Sequence, residues 1–278
     1  MIEAGARIRQ CATAPGRRSG RAGVAAAALT AVVLLGAPQP AWALADWFGV
    51  ELSALQNAPT GTAAIEDDGI PGTEFDVEDT LGVTDDDTST QARVWFRWGK
   101  RNRLFVDYFN PTHEGEATLS QPLTFNGVTY NAGESVDTTM EMELIQVKYR
   151  YHFLNLKIFE FGLGFGLNQV ALKMDLNGST TGAETLDDKV PFPTVEGGLV
   201  IKPLPGLHIR AEAGWISASE GGDHADFLDY RAQIEWYFLH FFGVFGGYRS
   251  VHCEVETEDF GRADLTYEGP YAGLGVKF

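Results

Sequence analysis

The chain has 278 residues, with 21 Lys plus Arg against 38 Asp plus Glu and a formal net charge of −17. That balance argues against a nucleic-acid partner, since holding a phosphate backbone takes clustered basic side chains. Two cysteines exclude a disulfide framework, and the length suits one all-β domain behind an N-terminal segment.

Arg7, Arg9, Arg17, Arg18 and Arg21 precede an apolar run from Val24 to Leu35, followed by Ala41-Trp42-Ala43-Leu44-Ala45 with two small-x-small sites. This is the pattern of a cleaved secretory signal over 1–45. Its apolar core of about twelve residues is too short for a bilayer, which needs about twenty. The surroundings of Arg17-Arg18 do not otherwise fit a twin-arginine signal, and Cys11 lies before the apolar core, not at its end as a lipoprotein acceptor would. Removing five basic residues and Glu3 leaves 16 Lys plus Arg against 37 Asp plus Glu, a net charge of −21 on the mature domain 46–278. Only Cys253 remains, so no intramolecular disulfide can form. No later apolar stretch reaches membrane-helix length and the mean hydropathy is slightly negative. A soluble protein shows this, and so does a transmembrane barrel, whose strands expose only alternate residues to lipid.

Period-2 alternation dominates the mature chain. The first strand, Trp47 to Leu55, sets Phe48, Val50, Leu52 and Ala54 against Gly49, Glu51 and Ser53, and the Gly-, Pro- and acid-rich Asn57 to Thr90 reads as a long loop. A second strand, Gln91 to Gly99, alternates Ala92, Val94, Phe96 and Trp98 with Arg93, Trp95 and Arg97. A tight turn leads to a third, Arg103 to Leu119, and a loop over Ser120 to Val136 to a fourth, Asp137 to Tyr151. The apolar parity of this fourth strand changes from Met140, Met142 and Leu144 to Ile145, Val147, Tyr149 and Tyr151, which predicts a β-bulge near Leu144. The fifth opposes Phe159, Phe161, Leu163, Phe165 and Leu167 to Glu160, Gly162, Gly164 and Gly166, then slips near Asn168 to Val170, Leu172 and Met174. No helix sorts residues this way. A loop over Asn177 to Asp188 precedes a sixth strand, Lys189 to Lys202; the seventh is Leu207 to Ser219, a fourth long loop Glu220 to Ala225. The eighth ends at Phe238, the ninth is Phe242 to Glu256, and a loop over Thr257 to Leu265 leads to the closing strand.

That last strand alternates Ala272, Leu274, Val276 and Phe278 with Gly273, Gly275 and Lys277. It resembles the final strand of bacterial outer-membrane β-barrels, which commonly stop on an aromatic after alternating hydrophobics. The resemblance implies delivery of the closing strand, ending at Phe278, to the barrel-assembly machinery, an outer-membrane location in a Gram-negative cell, and contact with membrane lipid and lipopolysaccharide. Long and short connections alternate strictly and both termini fall on the short-turn side, as in such barrels. The expected fold is all-β, an antiparallel up-and-down transmembrane barrel of ten strands, eight if weak segments are miscounted. In size and ending the chain looks like the small OmpA-type and OmpW-type barrels, and a monomer is expected. A soluble sandwich or lipocalin-like barrel would turn the apolar face inward. The mixed charges of the polar faces and the aromatics Trp98, Tyr108, Tyr151, Trp215 and Trp236 favour the membrane form.

The face away from lipid carries Arg93, Arg97, Asp107, Lys148, Arg150, Glu160, Glu196, Arg210, Glu212, Asp229, Arg231 and Glu235. In so narrow an interior, unpaired charge is costly, so a salt-bridged lumen is expected. The resulting role is structural or surface-interacting; the alternative is a narrow channel for small polar solutes. Gly162-Leu163-Gly164-Phe165-Gly166 mimics a phosphate loop but lies within a strand with no helix after it, so no nucleotide cofactor is expected and the small residues make room for lumen neighbours. Asp223, His224 and Asp226 form the only rim cluster with acid–base potential. It resembles the Asp–His pair of the omptin proteases, also ten-stranded, in strand count and in the nearness of these residues; the spacing differs. A rim hydrolase is thus the second alternative, behind a solvated acidic loop, and no Ser–His arrangement stands out. Glu66-Asp67-Asp68, Asp76 to Asp79 and Asp85-Asp86-Asp87 make the first loop acidic, able to attract divalent cations without an EF-hand pattern. His252 and Cys253, being adjacent on a strand, face opposite ways and do not share a metal; no metal site is expected.

Overall fold

Alternation at period 2 leaves each strand with two unlike faces, and closing the sheet into a ring puts one face inside and one outside without leaving an edge. The computed structural model describes residues 47–278 except 68–69, 84–86, 221–222, 239–240 and 258–260, together with the backbone but not the side chains of Asp87, Glu220 and Asp223. The expected signal, 1–45, lies outside the described residues.

Fifteen elements follow in order: β1 (Phe48–Ile65), β2 (Phe75–Asp76), α1 (Val77–Leu81), β3 (Asp87–Trp98), β4 (Asn102–Asn110), β5 (Thr112–Thr118), β6 (Leu123–Phe125), β7 (Val128–Tyr130), β8 (Ser135–Asn155), β9 (Phe159–Gly178), β10 (Gly182–Leu204), β11 (Leu207–Glu220), β12 (Asp223–Tyr237), β13 (Phe242–Thr257) and β14 (Gly261–Lys277). Ten antiparallel staves form the ring, each paired with its neighbour in sequence, with β4 and β5 one stave broken at Pro111. The ring closes between β1 and β14, from Gly49 opposite Lys277 to Ile65 opposite Gly261. Phe278 fastens the lower end of the seam: its carbonyl accepts from the N–H groups of Trp47 and Phe48, and its own N–H donates to Phe48.

Leu52, Val94, Phe96, Val106, Val147, Leu163, Phe165, Leu167, Ile234 and Leu274 are exposed on the outer wall, whereas Glu51, Arg93, Asp107, Lys148 and Glu212 are buried within. Trp98, Trp215 and Trp236 are also exposed on that wall, and Tyr108 and Tyr151 half-buried. Among the described residues no helix is long and apolar enough to cross a membrane.

The staves run well past the apolar belt, and this corrects several sequence expectations. There is no bulge near Leu144 and no slip near Asn168. The inward parity of β8 continues unbroken through Met140, Met142, Leu144, Gln146, Lys148 and Arg150, and that of β9 through Gly162, Gly166, Asn168, Val170, Leu172, Met174 and Leu176. The register irregularities lie instead between His152 and Leu154, and between Ile201 and Leu204. What changes near Leu144 is the make-up of the two faces, not the backbone. Beyond the belt the inner face becomes an apolar core and the outer face turns polar, as Lys173 bound to Asp175 at 2.6 Å shows. The segments 177–178, 182–188 and 261–265 are likewise paired strand, not loop, as is the chain from Asp223 on. Asn57 to Thr90 is mostly folded: β1 continues to Ile65, β2 pairs with it, and α1 follows, capped by the Asp76 carboxylate, which accepts from the N–H groups of Glu78 and Asp79. Ser120 to Val136 contains the β6–β7 hairpin, turned at Asn126-Gly127 with both φ positive (49° and 76°), the geometry an Asn-Gly turn supplies.

Candidate functional site

The ionic layer of the lumen is built from inward positions of all parts of the ring. Seven buried carboxylates, Glu51, Asp107, Glu160, Glu196, Glu212, Asp229 and Glu235, each find a cation. Arg93 grips Asp107 with two nitrogens, at 2.6 and 2.8 Å, and donates to Glu212 at 2.7 Å. Glu212 also accepts from Arg150 at 2.6 Å, so one carboxylate ties two guanidinium groups together across the barrel. Lys148 sits 2.7 Å from Asp107. Arg249 holds Asp229 at 3.0 and 2.9 Å and donates to Gln91 at 2.7 Å. At the turn end, Arg210 bridges Glu51 and Glu235, while Arg103 and Lys202 share Glu160. Bidentate guanidinium–carboxylate pairs are among the stronger charge-assisted bonds and fix geometry as well as energy. The cavities touching this layer measure about 10 and 20 Å³, room for one or two waters each.

Of the twelve sequence-predicted lumen residues, eleven are buried in this layer; Arg97 is half-buried and donates to the carbonyl of Lys100 at the turn. Arg249, the most deeply buried cation, escaped notice because β13 is Gly-rich there; the parity of Gly243, Phe245 and Gly247 would have placed it inside. Glu51 sits on the polar face of the first strand between Gly49 and Ser53, where only the ring's closure shows that it meets Arg210. The glycines of β9 and β10 make the layer possible: a Cβ built on Gly198 would overlap the Arg150 guanidinium, and one on Gly166 would press on Thr194 and Glu196.

Above the ions the interior is mostly apolar, apart from a buried polar chain in which the Ser89 hydroxyl donates to Asn57 and the Asn57 amide meets His113. Phe109, Leu144, Met142, Leu172, Met174, Leu176 and Tyr267 are buried together, and Leu55, Val77, Leu81, Phe125 and Tyr130 from β1, α1 and the hairpin complete the cluster. Gly115 lets the α1 terminus approach β5, since a Cβ there would strike the carbonyl of Leu81. Glu134 locks the β9–β10 tip: its carboxylate accepts from the N–H groups of Thr180 (2.8 Å) and Thr181 (2.6 Å) and from the Thr181 hydroxyl. Burial pushes this carboxyl up, but the Thr181 and Thr180 amides outweigh burial and hold it down at about 2.

At the rim, His224 and Asp226 lie on the outer face of β12, on the same parity as the exposed Leu228, not in the lumen. A hydrogen-bonded chain runs from Ser219 Oγ to His224 Nδ1 (2.8 Å) and from His224 Nε2 to Asp226 Oδ2 (2.8 Å). A Ser–His contact is therefore present after all, hidden from sequence inspection because the cross-strand register of β11 and β12 creates it. The Asp223 side chain lies outside the described residues. Glu254 of β13 stands opposite Asp226 and accepts from Arg262 at 2.8 Å. His252 neighbours Thr266 and Asp264, while Cys253 faces inward beside Phe227 and Leu265. In the acidic first loop, Asp76 is the cap of α1 and Glu78 and Asp79 form its first turn; Asp68, Asp85 and Asp86 lie outside the described residues.

No protein-family model matches the chain, and no curated protein sequence matches it. Solved structures do. The outer-membrane protease OmpT from Escherichia coli superposes with a TM-score of 0.53 at 8% identity, covering 84% of this chain and 97% of that one. The fold is that of the outer-membrane β-barrels. Neisserial surface protein A covers 83% of the chain and 97% of its own at 14% identity and TM-score 0.37, and Ail of Yersinia pestis 84% and 99% at 8% and 0.34. At such identities the likeness concerns the fold, and the chemistry of the site rests on this chain's own residues.

Proposed function

We propose that this chain is an integral outer-membrane β-barrel of a Gram-negative bacterium, of the small OmpA-type and OmpW-type class, acting as a sealed structural and surface-interaction protein. The observation that carries the reading is the interior itself. An ionic layer in which every buried carboxylate has a cationic partner lies beneath an apolar layer roofed by α1 and the β6–β7 hairpin. An ion crossing it would have to displace buried salt bridges and then enter hydrocarbon, each step costing several kcal/mol. Lipid would contact the aliphatic and aromatic outer wall, lipopolysaccharide the polar outer faces above it, and the assembly machinery the closing strand ending at Phe278. A monomer suffices, because the ring closes on itself through the β1–β14 seam.

Planar-bilayer recording of the refolded mature domain tests this. Membrane insertion without conductance steps is expected. Regular steps, altered in size by Arg93→Ala or Arg249→Ala, would replace the sealed barrel with the narrow-channel reading. The rim-hydrolase reading has the Ser219–His224–Asp226 chain in its favour; peptide or lipid hydrolysis abolished by His224→Ala would establish it.

A further inference from the structure

Strand alternation places three potential ligands on one patch of outer wall. His224 and Asp226 are two apart on β12, so they share a face, and Glu254 is the residue of β13 directly opposite Asp226. One donor atom from each lies within 4.8 Å of the other two. The patch carries an electrostatic debt: acid faces acid across the strand pair at Asp226 and Glu254, and Glu256 opposes His224. Like charges so placed destabilise a sheet unless a cation joins them. The bases nearby are His224 itself, Arg262, which holds one oxygen of Glu254, and His252, 3.6 Å from Asp264. On the far side of His224, Ser219 meets Nδ1 at 2.8 Å and so orients the ring with Nε2 toward the carboxylates. A hydrogen-bonded group behind a ligating imidazole is the usual support of a metal-bound histidine.

We propose that His224, Asp226 and Glu254 form a divalent transition-metal site, of the zinc class, on the outer wall just beyond the apolar belt. His224 Nε2 and one oxygen from each carboxylate are the ligands, and Ser219 positions the ring. Ligand bonds of about 2.0–2.2 Å require donor atoms roughly 3–4 Å apart, so side-chain rotation alone closes the set. Imidazole selects zinc over calcium and magnesium, which take oxygen ligands. The site is partly exposed, His224 at 34%, Asp226 at 35% and Glu254 at 20%, so an ion can reach it and a fourth position stays open. Nothing in this assignment depends on whether the lumen conducts.

Titration of the metal-stripped, refolded full-length mature chain in detergent with zinc chloride, in excess magnesium and calcium chloride, tests it by calorimetry. One zinc ion per chain is expected. Uptake should be lost in His224→Ala and Asp226→Asn, fall about tenfold in Ser219→Ala, and persist in Cys253→Ser. Heat-modifiable migration reports that each variant is folded. Should His224→Ala not fold, Arg262→Ala gives a second handle: freeing the Glu254 oxygen should tighten uptake. Equal zinc uptake by folded His224→Ala, loss in Cys253→Ser alone, displacement by magnesium, or an unchanged affinity in Arg262→Ala would overturn the assignment.

Discussion

A single carboxylate in the lumen shows how little slack the interior has. Glu212 accepts from Arg93 at 2.7 Å and from Arg150 at 2.6 Å, and all three side chains are buried. Removing it leaves two buried cations short of a partner, a loss of about 3–5 kcal/mol for a broken buried pair. Glu212→Ala should therefore lower the unfolding free energy by that amount in urea titration of the barrel in lipid vesicles. Replacing a wall residue such as Leu163 by Ile should leave it within about 1.5 kcal/mol. Gly198 carries the opposite constraint. A Cβ there overlaps the Arg150 guanidinium, so Gly198→Ala should cost about 1–3 kcal/mol through overpacking in the same assay. The charged residues were legible in the sequence because each alternates with an aliphatic or aromatic neighbour. The glycine that serves Arg150 was not, since only the pairing of β8 with β9 and β9 with β10 brings it there.

At the scale of the element, the staves are longer than the greasy belt they contain. β8 spans 21 residues and β9 20, more than the about 9–11 a tilted strand needs to cross a bilayer. The extra turns of alternation build a second, apolar interior beyond the apolar belt. That is why Met140, Met142 and Leu144, and again Val170, Leu172 and Met174, imitate a bulge or a phase slip: the same parity faces ions below and hydrocarbon side chains above. A sequence reports which residues are apolar but not which medium each face meets. The tip of the β9–β10 hairpin is held by Glu134, whose carboxyl, at about 2, lies below its ordinary value of about 4.3. A depressed carboxyl stabilises the fold above the unfolded value and loses that contribution as pH falls through the folded one. Amide exchange at Thr180 and Thr181 should thus accelerate, beyond its intrinsic pH dependence, between about pH 4.3 and 2. Glu134→Gln should remove that excess change; its persistence in the variant would show that another group holds the tip.

At the scale of the whole molecule, a barrel that faces hydrocarbon outward has to satisfy its polar groups within. This chain does so with a nearly balanced charge layer and a roof, and the strand-to-strand ring closes through the β1–β14 seam. The ionic face followed from period-2 alternation, the ten staves, with eight as the alternative, from that alternation together with the order of long and short connections, and the closing strand from its resemblance to barrel endings. The roof did not, because α1 and the β6–β7 hairpin are short elements in a Gly- and acid-rich stretch whose order comes from docking on the apolar interior. The rim cluster was visible only as neighbouring letters, and its partners Ser219 and Glu254 came from cross-strand register. The most direct test of the outward-apolar, inward-ionic arrangement is a nitroxide scan at single cysteines, in a Cys253→Ser background, along residues 160–176 of β9 in lipid vesicles. Odd positions from 161 to 167 should be open to oxygen dissolved in lipid, and even positions should stay shielded through 176 with no change of phase. Shielded odd positions in a chain that remains in aqueous solution, or a phase reversal at 168, would contradict the account.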